Sequence, residues 1–346
     1  MSSGAVAIVA GLWALIVSLG VGFGAAWLGH AFELLDYPDT NGGRKRHAGV
    51  TPLVGGIALM LASLGGCAVT LWLLPTGPWM EQHLVWFAGA LLAMYLIGFA
   101  DDRFALGPIM RLALTIGVLI FVLVYAPDFS LGFLRFAGQD SVWPIGGWGD
   151  AFALLCLVGL LNAVNMADGK NGVILSMGLI WTVVLALRLP AAFVPVMAAA
   201  GVALVVLLAF NLRGRLFMGD GGSYTLSVLF GLLAILAYNS DFATMRADDV
   251  AVMFAIPVFD TIRLMITRKL AGRSPFDGDR DHLHHHLHAH LDWPRGLWVY
   301  VALVALPNAG AVLFPGTGLI WLGLSALSYA AALALTRLPA LPSTAT

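Results

Sequence analysis

Five short polar stretches interrupt an otherwise apolar chain, and each carries residue types that can do chemistry. GFADDR sets Asp101 beside Asp102. Adjacent carboxylates repel, which suits a place where a divalent cation or a proton is held, and successive residues on a helix point in different directions. One could then serve as a metal ligand and the other as a base, while a solvated helix end would also account for the pair. RLFMGDGGSYT places Asp220 among Gly219, Gly221 and Gly222. Glycines let backbone N–H groups approach a phosphate at a helix N-terminus, and a lone carboxylate there makes sense if it carries a metal that holds the phosphate in turn. Hard oxygen donors favour Mg²⁺, with Mn²⁺ as a substitute, over zinc.

NAVNMADGKNG spaces Asn162, Asn165 and Asp168 at i, i+3 and i+6, a polar stripe on an apolar helix. Polar groups inside a span are costly and mark function more often than packing. Amides beside a carboxylate can read a ring bearing both donors and acceptors, such as a nucleobase; interhelical hydrogen bonding is the plainer explanation. SPFDGDRDHLHHHLHAH gathers Asp277, Asp279, Arg280 and Asp281 ahead of His282, His284, His285, His286, His288 and His290. Imidazoles can donate to phosphate oxygens, move a proton or bind a metal, and metal-buffering loops of transporters look similar. His288 and His290 read as bystanders. Arg44, Lys45, Arg46 and His47 form either a second phosphate clamp or a topology signal.

These groups must be positioned by membrane helices. The chain has 346 residues, of which 60% are hydrophobic and 11% charged, far from the roughly 25% charged of soluble domains. Apolar runs of the length a bilayer needs, about 20 residues, recur throughout. They predict an all-α, polytopic membrane protein forming a single membrane-embedded domain over 1–346, with eleven spans near 5–29, 53–75, 83–100, 108–126, 150–167, 172–189, 193–210, 223–240, 249–267, 296–314 and 317–335. No basic residue precedes the first apolar run, so that helix is expected to be retained rather than cleaved. Cys67 and Cys156 fall inside spans and are expected as buried small hydrophobes. A net charge of −1 gives no general affinity for nucleic acid.

When the loops alternate between two sides, only Arg135, Arg188 and Arg246 fall on one of them and most of the 18 basic residues fall on the other. The positive-inside rule makes the richer side cytoplasmic, which puts the N-terminus in the periplasm and the C-terminus in the cytoplasm. All five polar stretches then share the cytoplasmic face.

In their order, DYPDTNGGRKRHAGVTPLVGG, GFADDR, NAVNMADGKNG, FMGDGGS and SPFDGDRDHLHHHL resemble the polyprenyl-phosphate N-acetylhexosamine-1-phosphate transferase family, nearer the branch using UDP-N-acetylglucosamine than the branch making the first peptidoglycan lipid. The resemblance implies a bacterial inner-membrane enzyme that transfers a sugar-1-phosphate from a UDP-N-acetylhexosamine to undecaprenyl phosphate, with Mg²⁺, releasing UMP and beginning an O-antigen, common-antigen or teichoic-type polysaccharide. It further implies Asp101 and Asp102 as catalytic residues and Asp220 with Asp102 as metal ligands. Lys45, His47, Asn165, Asp168, Asn171, Gly219, Arg280, His282, His284 and His285 are implied as substrate-binding. Asn171 stands where the family often has a second aspartate, so a charge is missing there. An ion-coupled transporter or metal exporter is the alternative from another class; it would place ionisable residues near the bilayer midplane rather than at helix ends.

Overall fold

The computed structural model describes residues 1–38, 49–139, 141–241, 244–274, 280–293 and 295–337. Lys45, His47, Asp277 and Asp279 lie outside the described residues. The described residues form thirteen α-helices: α1 (Ser3–Phe23), α2 (Ala25–Phe32), α3 (Gly55–Leu73), α4 (Pro78–Phe104), α5 (Pro108–Tyr125), α6 (Gly149–Ala167), α7 (Val173–Ala186), α8 (Val194–Asn211), α9 (Gly219–Ser240), α10 (Ala247–Leu270), α11 (Leu283–His290), α12 (Arg295–Leu313) and α13 (Gly318–Arg337). Two antiparallel ribbons, Leu35–Asp36 with Thr51–Pro52 and Phe133–Leu134 with Trp143–Pro144, are the only sheet among the described residues.

Among the described residues, ten helices are long and apolar enough to cross a membrane, so the protein is a multi-pass membrane protein. The expected span 172–189 is the exception. It is the 14-residue α7, about 21 Å long at the usual helical rise. Gly172, with φ +89°, caps its start one residue into the expected span, and the helix stops at Ala186 because residues 187–189 turn ahead of Pro190. The expected span 5–29 breaks at Gly24, where α1 gives way to α2. Cys67 is buried as expected, but Cys156 is exposed on the outer surface of the bundle; in lipid an apolar thiol has no reason to hide.

α9 lies at the centre, its whole apolar stretch buried, and packs against α3, α4, α6 and α7. Close approach makes this possible. A Cβ on Gly56 of α3 would collide with the backbone of Gly222, and one on Gly98 of α4 would collide with the Asp220 carbonyl. Without a hydrophobic force between helices in lipid, such small-residue contacts are what bring backbones together. They also set the register: the C-terminal end of α4 lies beside the N-terminal turn of α9.

Candidate active site

That register joins two of the polar stretches. Asp102, near the end of α4, accepts the Asp220 N–H on Oδ1 at 2.9 Å and the Gly221 N–H on Oδ2 at 3.0 Å. It therefore satisfies two of the first N–H groups of α9 with a charge that the helix dipole favours. Gly219, at φ +68°, is needed for the approach, because a Cβ there would sit 2.6 Å from Asp102 Oδ2. Asp101 turns the other way, with its Oδ2 2.6 Å from Arg111 Nη1, and the same nitrogen lies 3.7 Å from Asp220 Oδ2. The adjacent pair thus divides: Asp102 is tied to the α9 backbone, and Asp101 shares a cation with Asp220.

The third stretch arrives from α6. Asn165 Nδ2 donates to Asp220 Oδ1 at 2.6 Å and to Ser223 Oγ at 3.0 Å. The stripe expected along α6 does not act as one unit, for Asn162 donates to its own helix at the Val158 carbonyl (2.8 Å). Asp168 ends the helix, and burial together with the negative charge of Asp102 pushes its carboxyl up to about 7. The turn that follows is fastened by Asn211, which accepts the Gly172 N–H on Oδ1 at 2.7 Å and donates to the Leu216 carbonyl at 3.0 Å. Asn211 therefore ties the Asp168 turn to the strand of chain that leads into Asp220.

The histidine stretch, expected as a loop, contains the short helix α11 with His282 as its N-cap. His282 and His284 rings lie parallel with centroids 5.3 Å apart, and His284 and His285 are 4.3 Å apart. His284 is buried against Gly169, where a Cβ would strike its ring, so the histidines abut the turn that carries Asp168. Burial, then the neighbouring His285 and His282, keep His284 well below the usual imidazole range. Burial with His282 and Arg280 lowers His285 to about 4. Both rings are thereby held in the neutral form near pH 7. Burial and Arg280 also lower the Lys170 ammonium, which lies 5.9 Å from the centroid of the Trp293 ring. The same indole donates to the Asn171 carbonyl at 3.1 Å. Burial disfavours the Asp281 carboxylate, but His286 and Arg263 outweigh it and hold the group below the ordinary carboxylate range.

Sequence reasoning places these stretches on one face, and in the structure Asp101, Asp102, Asn165, Asp168, Asn171, Gly219, Asp220, His282, His284 and His285 occupy one end of the bundle. Arg111 and Arg263, expected near this face from the charge pattern alone, also belong to this end, as do Ser223, Asn211, Asp260 and Tyr329, which that pattern did not mark. For Asp260 and Arg263 a signal existed, since two ionisable residues three apart inside an apolar run are costly unless used. Asn211 and Tyr329 carry no such mark.

Residues 84–238 match the family model described as glycosyl transferase family 4. Among curated relatives, the chain is 28% identical over 265 residues to the Escherichia coli (strain K12) undecaprenyl-phosphate alpha-N-acetylglucosaminyl 1-phosphate transferase, covering 73% of this chain and 68% of the relative. It is 26% identical over 338 residues to the decaprenyl-phosphate N-acetylglucosaminephosphotransferase of Mycobacterium leprae (strain TN), covering 86% and 82%. It is 23% identical over 257 residues to a Bacillus subtilis (strain 168) protein described as a probable undecaprenyl-phosphate N-acetylglucosaminyl 1-phosphate transferase, covering 72% and 69%.

Proposed function

We propose that this chain, whose residues 84–238 match the model of glycosyl transferase family 4, transfers N-acetylglucosamine-1-phosphate from its UDP derivative to undecaprenyl phosphate and releases UMP. The observation that carries the reading is the joining of Asp101, Asp102, Asn165 and Asp220 at one end of the bundle, next to the turn against which the histidines pack. A soluble nucleotide and a lipid can both reach such a place.

An oxygen of the lipid phosphate attacks the β-phosphorus of the UDP-sugar. The new O–P bond forms as the bond from the β-phosphorus to the bridging oxygen breaks, and UMP leaves with that oxygen. A phosphate monoester with a second pKa of about 6 is largely ionised at neutral pH, so removing a proton is a small part of the problem. Bringing two anions together is the larger part, and fixed donors address it. Arg111, Lys170 and the donor nitrogens of His282, His284 and His285 supply cationic and neutral donors at this end. Asp101 orients the lipid phosphate or takes its remaining proton, and Asp102 holds the first turn of α9 in place. Asn165 and Asp168 read the nucleotide side.

A divalent cation fits the donor set. The oxygen donors of Asp220, Asp101 and Asp102 suit Mg²⁺, a cation bound by one or two carboxylates together with substrate phosphate and water. Arg111 Nη1 already sits between Asp101 Oδ2 and Asp220 Oδ2 as a positive charge flanked by two carboxylates. Asp220 is the residue that would hold the cation, with Asp101 or Asp102 beside it; Asp102 has one lone pair left on each oxygen after accepting its two amides. When bound, Mg²⁺ would neutralise charge on the diphosphate.

The active end faces the cytoplasm of a bacterial inner membrane in this reading, supported by the position of the basic residues. Purified protein mixed with undecaprenyl phosphate and a panel of UDP-N-acetylhexosamines, with and without Mg²⁺, tests it: UMP appears with UDP-N-acetylglucosamine and only with the cation. No UMP from any donor, together with ion flux in proteoliposomes, would overturn it.

A further inference from the structure

Asp260 is buried on α10, at 5% exposure, and collects donors from three helices. Its Oδ1 accepts the Tyr329 hydroxyl of α13 at 2.8 Å, Arg263 Nη2 at 3.0 Å and the Leu283 N–H at the start of α11 at 3.2 Å. Its Oδ2 faces His282 Nδ1 at 2.9 Å. Arg263 and the Leu283 amide can only donate, so the carboxyl is present as an acceptor and the proton on this side of the imidazole belongs to Nδ1. Arg263 is held in turn by Asp281, which it meets at Oδ2 (2.7 Å) and at the backbone carbonyl. The ring orientation of His282 is thereby fixed, and Nε2 is the nitrogen left for a ligand. That ring is stacked on His284, which abuts Gly169, the neighbour of Asp168. A chain of contacts runs from the buried carboxylate to the nucleotide side of the site.

We propose that Asp260 is a positioning residue: it anchors His282 through Nδ1 and presents Nε2 to a phosphate oxygen of the bound sugar nucleotide. The inference rests on the transferase reading. It adds a residue that touches no substrate yet sets the tautomer and aim of one that does, the arrangement by which a carboxylate prepares an imidazole for catalysis elsewhere. A purely architectural role, pinning α11 to α10 and α13, is the competing account and makes different predictions.

Two replacements of His282 separate the nitrogens. His282→Asn keeps an amide nitrogen near the Nδ1 position, so it can still donate to Asp260, but it has nothing at Nε2. His282→Gln places its amide near Nε2 and loses the anchor. UMP release is measured as kcat and KM, alongside thermal stability, for these two, for Asp260→Asn and for the double variant Asp260→Asn/His282→Gln. His282→Asn is expected to lower kcat about 100-fold. Asp260→Asn and His282→Gln each lower kcat about 10-fold with KM nearly unchanged, and the double variant is also about 10-fold down, because both changes remove the same bond. The proposal is overturned if His282→Gln is as poor as His282→Asn, if the double variant falls about 100-fold, or if Asp260→Asn stays within twofold of the parent. Should Asp260→Asn not fold, the order of the two His282 variants decides alone. A parent protein that releases no UMP overturns the transferase reading and this proposal with it; a parent that turns over isolates the proposal.

Discussion

The two ends of the bundle hold similar side chains and use them differently. At the N-terminal turn of α9, three aspartates crowd together with one arginine between two of them. At the other end of the same helix, about 30 Å away along its axis, charged side chains join helices and loops to one another. Arg188 donates to the Thr244 and Ala311 carbonyls and lies 3.5 Å from Asp249 Oδ2, with 6% and 8% of the two side chains exposed. Asp248 Oδ1 accepts the Ala137 N–H at 2.9 Å, and Asp249 Oδ2 accepts the Arg246 N–H at 2.9 Å. Asp128 receives the Trp79 indole at 2.8 Å and lies 2.6 Å from His83 Nε2. Fixed protein donors take up part of the charge that joins helices at this end, while Asp248 Oδ2, Asp249 Oδ1 and the Nε atoms of Arg135 and Arg246 are buried without a hydrogen-bond partner. Of the basic residues at this end, Arg188 pairs through its side chain with Asp249, whereas Arg135 meets the α10 N-terminus through its backbone carbonyl, which accepts the Ala247 N–H.

The comparison can be broken at either end. Replacing Asp220 by Asn should lower kcat for UMP release by about 10³-fold at ordinary Mg²⁺ while thermal stability changes little; near-normal turnover would take Asp220 out of the machinery. Arg188→Ala should do the reverse, costing about 3–5 kcal/mol of stability because it strands a buried carboxylate, with turnover per folded molecule kept within about twofold. Thermal unfolding and kcat measured on the same preparations would show whether the two ends separate in this way.

Finer tests address the charge states. Asp168 is raised to about 7, so in metal-free protein its carboxyl is protonated at pH 6 and ionises as pH rises through about 7. An infrared protonated-carboxyl band should disappear over that window, and Asp168→Asn should lack that share of it. His285, lowered to about 4 from 6.5, favours the fold in its neutral form. Its contribution is present above pH 6.5 and is lost as pH falls from there toward 4. Glutamine at 285 should make the melting temperature less sensitive to acid over that range, an effect of a few degrees at most.

Hydropathy and charge were enough to mark the helices and to collect the polar stretches on one face, because a bilayer permits few alternatives to a long apolar helix and penalises polar groups within it. The same logic could not see α7 stopping at Ala186, ahead of the turn before Pro190, or the histidine stretch coiled into α11 against Gly169. Asn211 illustrates the limit. Nothing about a lone amide at a helix end distinguishes a solvated group from one that spans two loops.

Residue types and order alone settled that this is a helical membrane protein with its reactive groups gathered at helix ends. The tertiary structure decided how those groups are divided: Asp102 to the α9 backbone, Asp101 to Arg111, Asn165 to Asp220, and Asp260 to His282. Hydrogen bonds and ion pairs act over about 3 Å, and partners 55 or 118 residues apart in the chain reach that distance only after glycines have let three helices meet.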